Sequence, residues 1–278
     1  VATPSYLAER ALEIAVKHDA VSVEVIERDQ MVERGMGGLE AVSAGTDQPP
    51  TGPVDLAVIA VPPTAVAAVL ADLQGKQLAA AYTDLASTKA HIHAEVARLG
   101  TDPSSFVGGH PMAGRERSGP GSARGDLFEG RPWVLTPTAH TAPAALAAVQ
   151  SVVALTGATP YLMSPAEHDH AVAVVSHAPH LVAALVAARL ADADPAVLAL
   201  AGPGVRDITR VAAGDPALWR EILATNSPAV AAILAALGAA LTAVSAELAN
   251  PDPDPHAALA ATVDALARGN RGVARIPG

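Results

Sequence analysis

Apolar residues in the first half of the chain form short runs separated by polar, glycine-rich or proline-rich turns. Residues 54–61 are continuously apolar apart from Asp55, which is typical of a strand buried on both faces of a parallel sheet. Further strands are predicted at residues 21–26, 78–83, 133–136 and 159–163. Helical spacing predicts helices over residues 5–18, 64–73, 88–99 and 143–155, and a polar helix after Asp29. This alternation indicates right-handed βαβ units in an open parallel, Rossmann-like sheet.

The strand pattern stops after Met163. Ser164-Pro165-Ala166-Glu167 has the form of a capping box with proline at the first helical position, and it predicts a helix reaching about residue 190. Later helices are predicted to start near Gly204, Pro216 and Ser227, and a last one covers 256–268. We therefore expect a sheet domain over 1–163 and an all-helical domain over 164–278. Long alanine-rich helices leave apolar faces uncovered, which predicts a homodimer formed through this half.

Composition narrows the class of protein. The 278 residues are 50% hydrophobic but only 3% aromatic, so the cores are aliphatic, and the length suffices for two domains. A net charge of −10 argues against nucleic acid or an anionic membrane as the main partner. The chain has no cysteine, no uninterrupted apolar run of about 18 residues and no signal-peptide pattern. We expect a cytoplasmic protein.

The first candidate for chemistry is His110, which lies between Gly109 and Pro111 directly after a predicted strand. Parallel sheets bind ligands at the carboxyl ends of their strands, so this is a suitable position for a general base. Glu116 and neighbouring Arg115 and Ser118 make the segment unusually polar. The alternative is a loop histidine that bonds only nearby backbone.

A second candidate follows the next predicted strand end, in Asp84-Leu85-Ala86-Ser87-Thr88-Lys89. The Ser87 hydroxyl could bond the imidazole of His110 and hold its tautomer, as an orienting group does in other acid–base sites. Alternatively, Ser87 only caps the helix that follows.

The third candidate lies within the first helix of the second half. His177 and His180 are three residues apart and share a helix face. Pro179 has no N–H, which frees the carbonyl of Val175 and predicts a kink. Neither a thiolate nor an HExxH pattern accompanies the histidines, so no metal is predicted. The alternative is a pair of histidines in a seam between helices.

The fourth candidate is a glycine-rich entry into a helix that carries Arg206 and Arg210 one turn apart. The planar guanidinium suits bidentate capture of a carboxylate. Asp207 could pair with Arg210, and Trp219 is expected to be a wall residue of the site. The alternative is a solvated surface ion pair.

These four blocks, taken in order, resemble the prephenate/arogenate dehydrogenase family of tyrosine biosynthesis. The resemblance rests on the DxxSxK-like strand end, the GGHPMAG loop with LFEG and PWVLTP, the SHxPH helix, and the R-D-x-T-R segment followed by DP-x-x-W. It covers roughly residues 55–220.

The resemblance implies an oxidoreductase that uses NAD or NADP to oxidise a cyclohexadienol, prephenate or arogenate, with loss of carbon dioxide. It implies that His110 accepts the proton of the ring hydroxyl and that Ser87 orients His110. Arg210 would bind a substrate carboxylate. The other implied substrate-site residues are His180, Glu116, Arg206, Trp219 and His177. Those implied for the cofactor are Glu27, Arg28, Val61, Pro62, Asp84 and Ser87.

The front of the chain departs from the family pattern. The family begins with a strand and a GxGxxG turn that holds the pyrophosphate at a helix N-terminus, and this chain has Ala2-Thr3-Pro4-Ser5-Tyr6-Leu7 there. Glu27 could meet the adenosine ribose and Arg28 a 2′-phosphate. Two expectations follow: a truncated or misassigned start, or weak cofactor binding. The alternative function is a cofactor-deficient, catalytically inactive dehydrogenase-like protein that binds a ligand or dimerises.

Overall fold

The computed structural model describes residues 24–25, 41–43, 53–114, 126–250 and 259–277. The chain forms two compact units, Val1–Ser227 and Pro228–Gly278. The first unit therefore contains the sheet together with the helices that precede Pro228. The domain boundary at 163/164 stays a prediction.

A seven-stranded sheet forms the centre of the first unit, and its spatial order follows the chain order. The strands are β1 (Glu24–Val25), β2 (Ala41–Ser43), β3 (Val54–Ile59), β4 (Ala79–Asp84), β5 (Phe106–Pro111), β6 (Pro132–Thr136) and β7 (Thr159–Leu162). Strands β3, β4 and β5 pair in parallel, as do β6 and β7. Strand β2 pairs antiparallel with β1 and β3, and β6 pairs antiparallel with β5.

The sheet is thus Rossmann-like but mixed, where the sequence predicted parallel pairing throughout. Strands β5 and β6 are consecutive in the chain and adjacent in the sheet. Consecutive strands can pair antiparallel when the connection joins them at the same end of the sheet, so that no crossover is needed. Strand β2 corrects a second expectation, since Ala41–Ser43 was placed between a polar helix and a turn. Its three residues are too short a run to display alternation.

Eight α-helices lie before Ser227 within the described residues. They are α1 (Val66–Gly75), α2 (Ala90–Leu99), α3 (Pro143–Leu155), α4 (Pro165–Val172), α5 (Ala178–Ala188), α6 (Pro195–Leu198), α7 (Pro203–Thr209) and α8 (Pro216–Thr225). A π-helical turn, Ala173–His177, joins α4 to α5, and a 3₁₀ turn, Arg210–Ala213, follows α7. Helix α9 (Ser227–Ala249) begins at the end of the unit, and α10 (Ala260–Val273) lies in the second.

Several local predictions are confirmed. Helix α3 has the predicted bounds, with Pro143 in its first turn. Ser164 and Glu167 form the capping box of α4. The N–H of Ala178 bonds the carbonyl of Ala173 in a π turn directly before Pro179, and the predicted kink itself stays a prediction. Such turns widen a helix by one residue and are frequent at functional sites.

Two aliphatic cores cover the two faces of the sheet. Tyr82 and Phe106 belong to the core that packs under α1 and α2, whereas the adjacent Ala81 and Val107 belong to the core under α3. Successive residues of a strand point to opposite faces, so these two clusters define the layers. The three-layer arrangement leaves the carboxyl ends of β3, β4 and β5 together at one edge.

The second unit exposes aliphatic side chains. Leu241 on α9 is 67% exposed and Leu266 on α10 is 65% exposed. Glu247 accepts hydrogen bonds from the backbone N–H groups of Ala261 and Thr262, which fixes the start of α10. Exposed apolar surface of this kind is typical of an interface with a partner.

Two apolar stretches, Pro165–Ala188 and Ser227–Ala249, have the length and composition of a membrane span. Length and composition alone are weak evidence, and the first stretch contains the buried polar residues His168, Asp169 and His177. The sequence-based expectation of a cytoplasmic protein stays a prediction.

Candidate active site

His110 lies in β5 at the edge where the parallel strands end, paired across the sheet with Val134 of β6. Its imidazole is partly buried, and its Nδ1 atom lies 2.8 Å from Nε2 of His168 on α4. The two rings meet edge to face, with centroids 5.1 Å apart. The first helix after the sheet therefore supplies a direct partner to the imidazole.

His168 is held in turn by its sequence neighbour. Nδ1 of His168 lies 2.7 Å from Oδ1 of Asp169, and both side chains are buried. Asp169 also accepts hydrogen bonds from the backbone N–H groups of Lys89 and Ala90, at 2.7 and 2.9 Å. It thereby caps the N-terminus of α2 from a distant part of the chain, where a negative charge is favourable.

Where neither imidazole is charged, this network determines which ring nitrogen of each carries the proton. A carboxylate only accepts, so His168 carries its proton on Nδ1 and offers the lone pair of Nε2. His110 then donates from Nδ1, and its Nε2 is unprotonated. Within the described ranges, Nε2 of His110 has no hydrogen-bond partner. The ring is therefore arranged as a proton acceptor.

The pKa of His110 supports the same assignment. Burial lowers the pKa of His110 well below its usual value of 6.5, and the neighbouring basic groups of His168, Lys89 and His177 lower it further. The imidazole is consequently neutral at physiological pH, as a general base has to be.

Asp84 lies at the end of β4 and is fully buried with Lys89. Its carboxylate bonds the ammonium of Lys89 and accepts from the backbone N–H groups of Ala86 and Gly109. The Asp84 carboxylate therefore has a structural role, because its hydrogen bond to Gly109 connects β4 to β5. The assignment of Asp84 to the cofactor site stays a prediction.

Ser87 was predicted to orient His110. The structure instead gives the Nδ1 position of His110 to His168, and within the described ranges the Ser87 hydroxyl has no hydrogen bond. Ser87 is partly exposed in the turn between β4 and α2. It does not cap α2 either, because Asp169 takes that role. A contact with a ligand stays a prediction for this hydroxyl.

His177 and His180 form the predicted seam with Trp219. His180 stacks on Trp219, with ring centroids 3.5 Å apart and planes at 11°, and His177 meets the same indole edge to face. Nδ1 of His177 faces the Asn226 amide at 3.2 Å, and that amide also donates to the carbonyl of Asp169. The seam is thereby joined to the His168–Asp169 pair.

Both seam histidines are neutral. Burial lowers the pKa of His177 to about 4, although the charge of Asp169 opposes this. Burial also lowers the pKa of His180, while a hydrogen bond to the backbone of Val211 raises it. The seam therefore presents an uncharged aromatic surface.

Arg210 begins the 3₁₀ turn that packs against α5, and its neighbour Val211 is the residue bonded to His180. Arg210 and Arg206 are exposed. The structure thus brings the Arg210 turn beside His180, whose stacking partner Trp219 also contacts His177. Glu116, Glu27 and Arg28 lie outside the described residues.

The predicted cofactor edge lies at the ends of β3 and β4, where Ile59 and Asp84 are in register. Beyond them, Val61 is partly exposed, Pro62 is exposed, and Ser87 offers a hydroxyl. These groups carry no charge, and the buried Asp84 carboxylate at the same end of the sheet is paired with Lys89. The assignment of Val61, Pro62 and Ser87 to the cofactor stays a prediction. Among the described residues, no group of three potential metal ligands occurs.

Two family models divide the chain between them. The nucleotide-binding domain of prephenate dehydrogenase matches residues 11–162, and its dimerization domain matches residues 164–264. The chain belongs to the prephenate dehydrogenase family. It therefore combines a Rossmann-like domain with a helical dimerisation domain, and the family is one of oxidoreductases.

Named relatives agree with this assignment. The chain is 39% identical over 250 residues to "Probable prephenate dehydrogenase NovF" of Streptomyces niveus, covering 86% of this chain and 67% of that protein. It is 40% identical over 147 residues to prephenate dehydrogenase of Bacillus subtilis, covering 52% of this chain and 40% of that protein. The chain thus spans two thirds or less of these relatives.

Solved structures show the same fold. Prephenate dehydrogenase from A. aeolicus, in complex with hydroxyphenyl propionate and NAD+, has a TM-score of 0.63 at 29% identity, over 80% of this chain and 77% of that one. Synechocystis arogenate dehydrogenase has a TM-score of 0.61 at 32% identity, over 78% of each chain.

Sequence reasoning missed His168, Asp169 and Asn226. A signal was present for the first two, because they stand one turn before Val172 and Ala173 on the apolar side of α4. A His-Asp pair at positions that predict burial requires hydrogen-bond partners. Nothing in the sequence pointed to Asn226, which bonds across 57 positions.

Proposed function

We propose that this protein oxidises prephenate or arogenate with NAD(P)+, giving 4-hydroxyphenylpyruvate or tyrosine and carbon dioxide. Family membership supports the reaction class. The observation that carries the proposal is the neutral imidazole of His110, whose Nδ1 contacts His168 and whose Nε2 has no hydrogen-bond partner among the described residues.

His110 acts as the general base. Its Nε2 accepts the proton of the ring hydroxyl, and the imidazolium that forms is stabilised through His168 by the charge of Asp169. NAD(P)+, when bound, supplies the hydride acceptor. Loss of carbon dioxide makes the ring aromatic, so the protein mainly positions groups and stabilises charge.

The helical elements bind the substrate. Arg210 pairs with a substrate carboxylate, and Arg206 one turn earlier adds positive charge. The neutral faces of His180 and Trp219 form the wall against the ring and its side chain. Glu116 is a further substrate-binding residue that the family resemblance implies. Ser87 contacts the hydroxyl end of the ligand.

Four residues of the sheet domain are proposed to bind the cofactor and to set the preference between NAD+ and NADP+. Val61 and Pro62 flank the nicotinamide half, Glu27 bonds the ribose of the adenosine half, and Arg28 would favour a 2′-phosphate. We further propose a cytoplasmic homodimer formed through α9 and α10, whose exposed leucines it would bury.

The test is a steady-state assay of the purified protein with prephenate and arogenate, each with NAD+ and NADP+, together with calorimetric titration of both cofactors. We expect formation of reduced cofactor with one of the two substrates. Binding of neither cofactor at millimolar concentration would overturn the proposal. It would favour the inactive, ligand-binding or dimerising alternative.

A further inference from the structure

The carboxylate of Asp169 joins two parts of the molecule. Oδ1 bonds Nδ1 of His168 and the N–H of Lys89, while Oδ2 bonds the N–H of Ala90. The backbone donors of α2 therefore fix the carboxylate, and the carboxylate fixes the tautomer of His168. The tautomer of His168 in turn leaves only one way for His110 to hydrogen-bond it.

We propose that His168 and Asp169 are positioning residues that hold His110 in the tautomer with a bare Nε2 and share its charge once it is protonated. The proposal rests on the proposed function. Only one proton moves: the substrate hydroxyl proton is transferred to Nε2 of His110. The protons on Nδ1 of His110 and on Nδ1 of His168 stay in place.

The surrounding charges make this arrangement necessary. His110 is faced by the ammonium of Lys89 at the start of α2 and by the imidazoles of His168 and His177 from the α4–α5 segment, and these three basic groups lower its pKa. Asp84 is already paired with Lys89. Among the described groups, Asp169 is the carboxylate that reaches His110 through a hydrogen-bonded path.

The Asp169→Asn variant tests whether Asp169 sets the tautomer of His168 and His110 or only caps α2. The carboxylate uses Oδ1 for His168 and the Lys89 N–H and Oδ2 for the Ala90 N–H, whereas an amide has one oxygen. With that oxygen towards Ala90, the NH₂ group donates to Nδ1 of His168. His168 would carry its proton on Nε2, and His110 would have to accept at Nδ1 and protonate Nε2. A base in the wrong tautomer costs catalytic triads about 10⁴-fold in kcat, and we expect a loss of about 10³-fold or more with little change in KM.

Substitution of His168 provides the conservative rescue. In His168→Gln, the amide oxygen can accept from His110 while the NH₂ group donates to Asp169, so we expect kcat within about tenfold of the original. In His168→Leu, no acceptor faces His110, and the loss should approach that of Asp169→Asn.

The experiment combines kcat and KM with ¹⁵N NMR of the histidine rings, whose signals are assigned from the His110 and His168 variants. Asp194→Asn is the matched control, because Asp194 caps α6 at its Ala196 N–H and lies in an exposed segment. We expect wild-type protein to show His110 protonated at Nδ1, and Asp169→Asn to show it protonated at Nε2.

Two results would overturn the proposal. One is an unchanged His110 tautomer in Asp169→Asn, with stability lowered as by any lost cap. The other is equal kcat for His168→Gln and His168→Leu. The NMR result needs no substrate, so an inactive wild-type protein would overturn the proposed function while the tautomer assignment was still tested.

Discussion

His110 and His168 are 58 residues apart in the sequence, yet Nδ1 of one lies 2.8 Å from Nε2 of the other. The first belongs to the sheet and the second to the helix that follows it. The proposed general base is consequently positioned by packing between α4 and the carboxyl end of β5. It is not a property of the glycine-rich loop alone.

Activity should depend little on pH around neutrality. The base has to be unprotonated, and burial holds the pKa of His110 well below 6.5. The rate therefore rises with pH only at the acidic end and is flat from about pH 6.5 to 8. The measurement is kcat/KM against pH, with exposed His140→Asn as the control. An acid limb centred at or above pH 6.5 would contradict the assignment.

Stability should fall as the pH drops below about 6.5. Burial lowers the pKa of both His93 and His177 to about 4, so the unfolded chain binds more protons than the folded one between pH 4 and 6.5. The stability is complete above 6.5, and each histidine costs at most about 1.4 kcal/mol per pH unit below it. Urea unfolding at pH 7 and pH 5 measures the slope, which His93→Gln should reduce. Equal free energies at the two pH values would refute the prediction.

Lys89→Met should destabilise the fold by about 3–5 kcal/mol, because it leaves the buried Asp84 carboxylate without its cation. Adding Asp84→Asn removes the unpaired charge and should recover part of the loss, since the amide oxygen can still accept from a backbone N–H. Chemical denaturation of both single variants and the double variant forms the cycle. Strictly additive losses would show that the ion pair is not coupled.

Gly214→Ala should disturb the His180–Trp219 stack. A Cβ at Gly214 would overlap Nε1 of Trp219 and lie 2.9 Å from Cε1 of His180. Strain of about 1–3 kcal/mol at such a site should raise KM by roughly tenfold, more than it lowers kcat. Gly75→Ala is the control, because nothing lies within 4 Å of its Cβ position. An unchanged KM together with unchanged tryptophan fluorescence would count against the stack as the substrate wall.

Elements with a strong local pattern could be predicted from sequence. Helix α3 has a proline start and an unbroken apolar face, and the Ser164–Glu167 box fixes the start of α4 by hydrogen bonds within four residues. Strand β2 and the antiparallel pairing of β6 with β5 could not be predicted, because they depend on residues that are distant in the sequence.

The site divides in the same way. His110, His177, His180 and Trp219 were found because unusual residue types stand beside glycine, proline or one another. Their connections were not found, because the Asp169 cap of α2 crosses 80 positions. Asp84 accepts a hydrogen bond from the N–H of Gly109, the residue before His110. Asp84 is buried and forms an ion pair with Lys89. The Nδ1 atom of His110 contacts His168, where the sequence predicted a contact with Ser87.

The most direct test is turnover of prephenate and arogenate by His110→Asn beside wild type and His140→Asn, with unfolding curves for all three. Asparagine can keep a hydrogen bond to His168 but cannot take up a proton. We predict a fall in kcat of about 10²–10⁴-fold with little change in unfolding, and no effect of His140→Asn. Turnover of His110→Asn close to that of wild type would contradict the account.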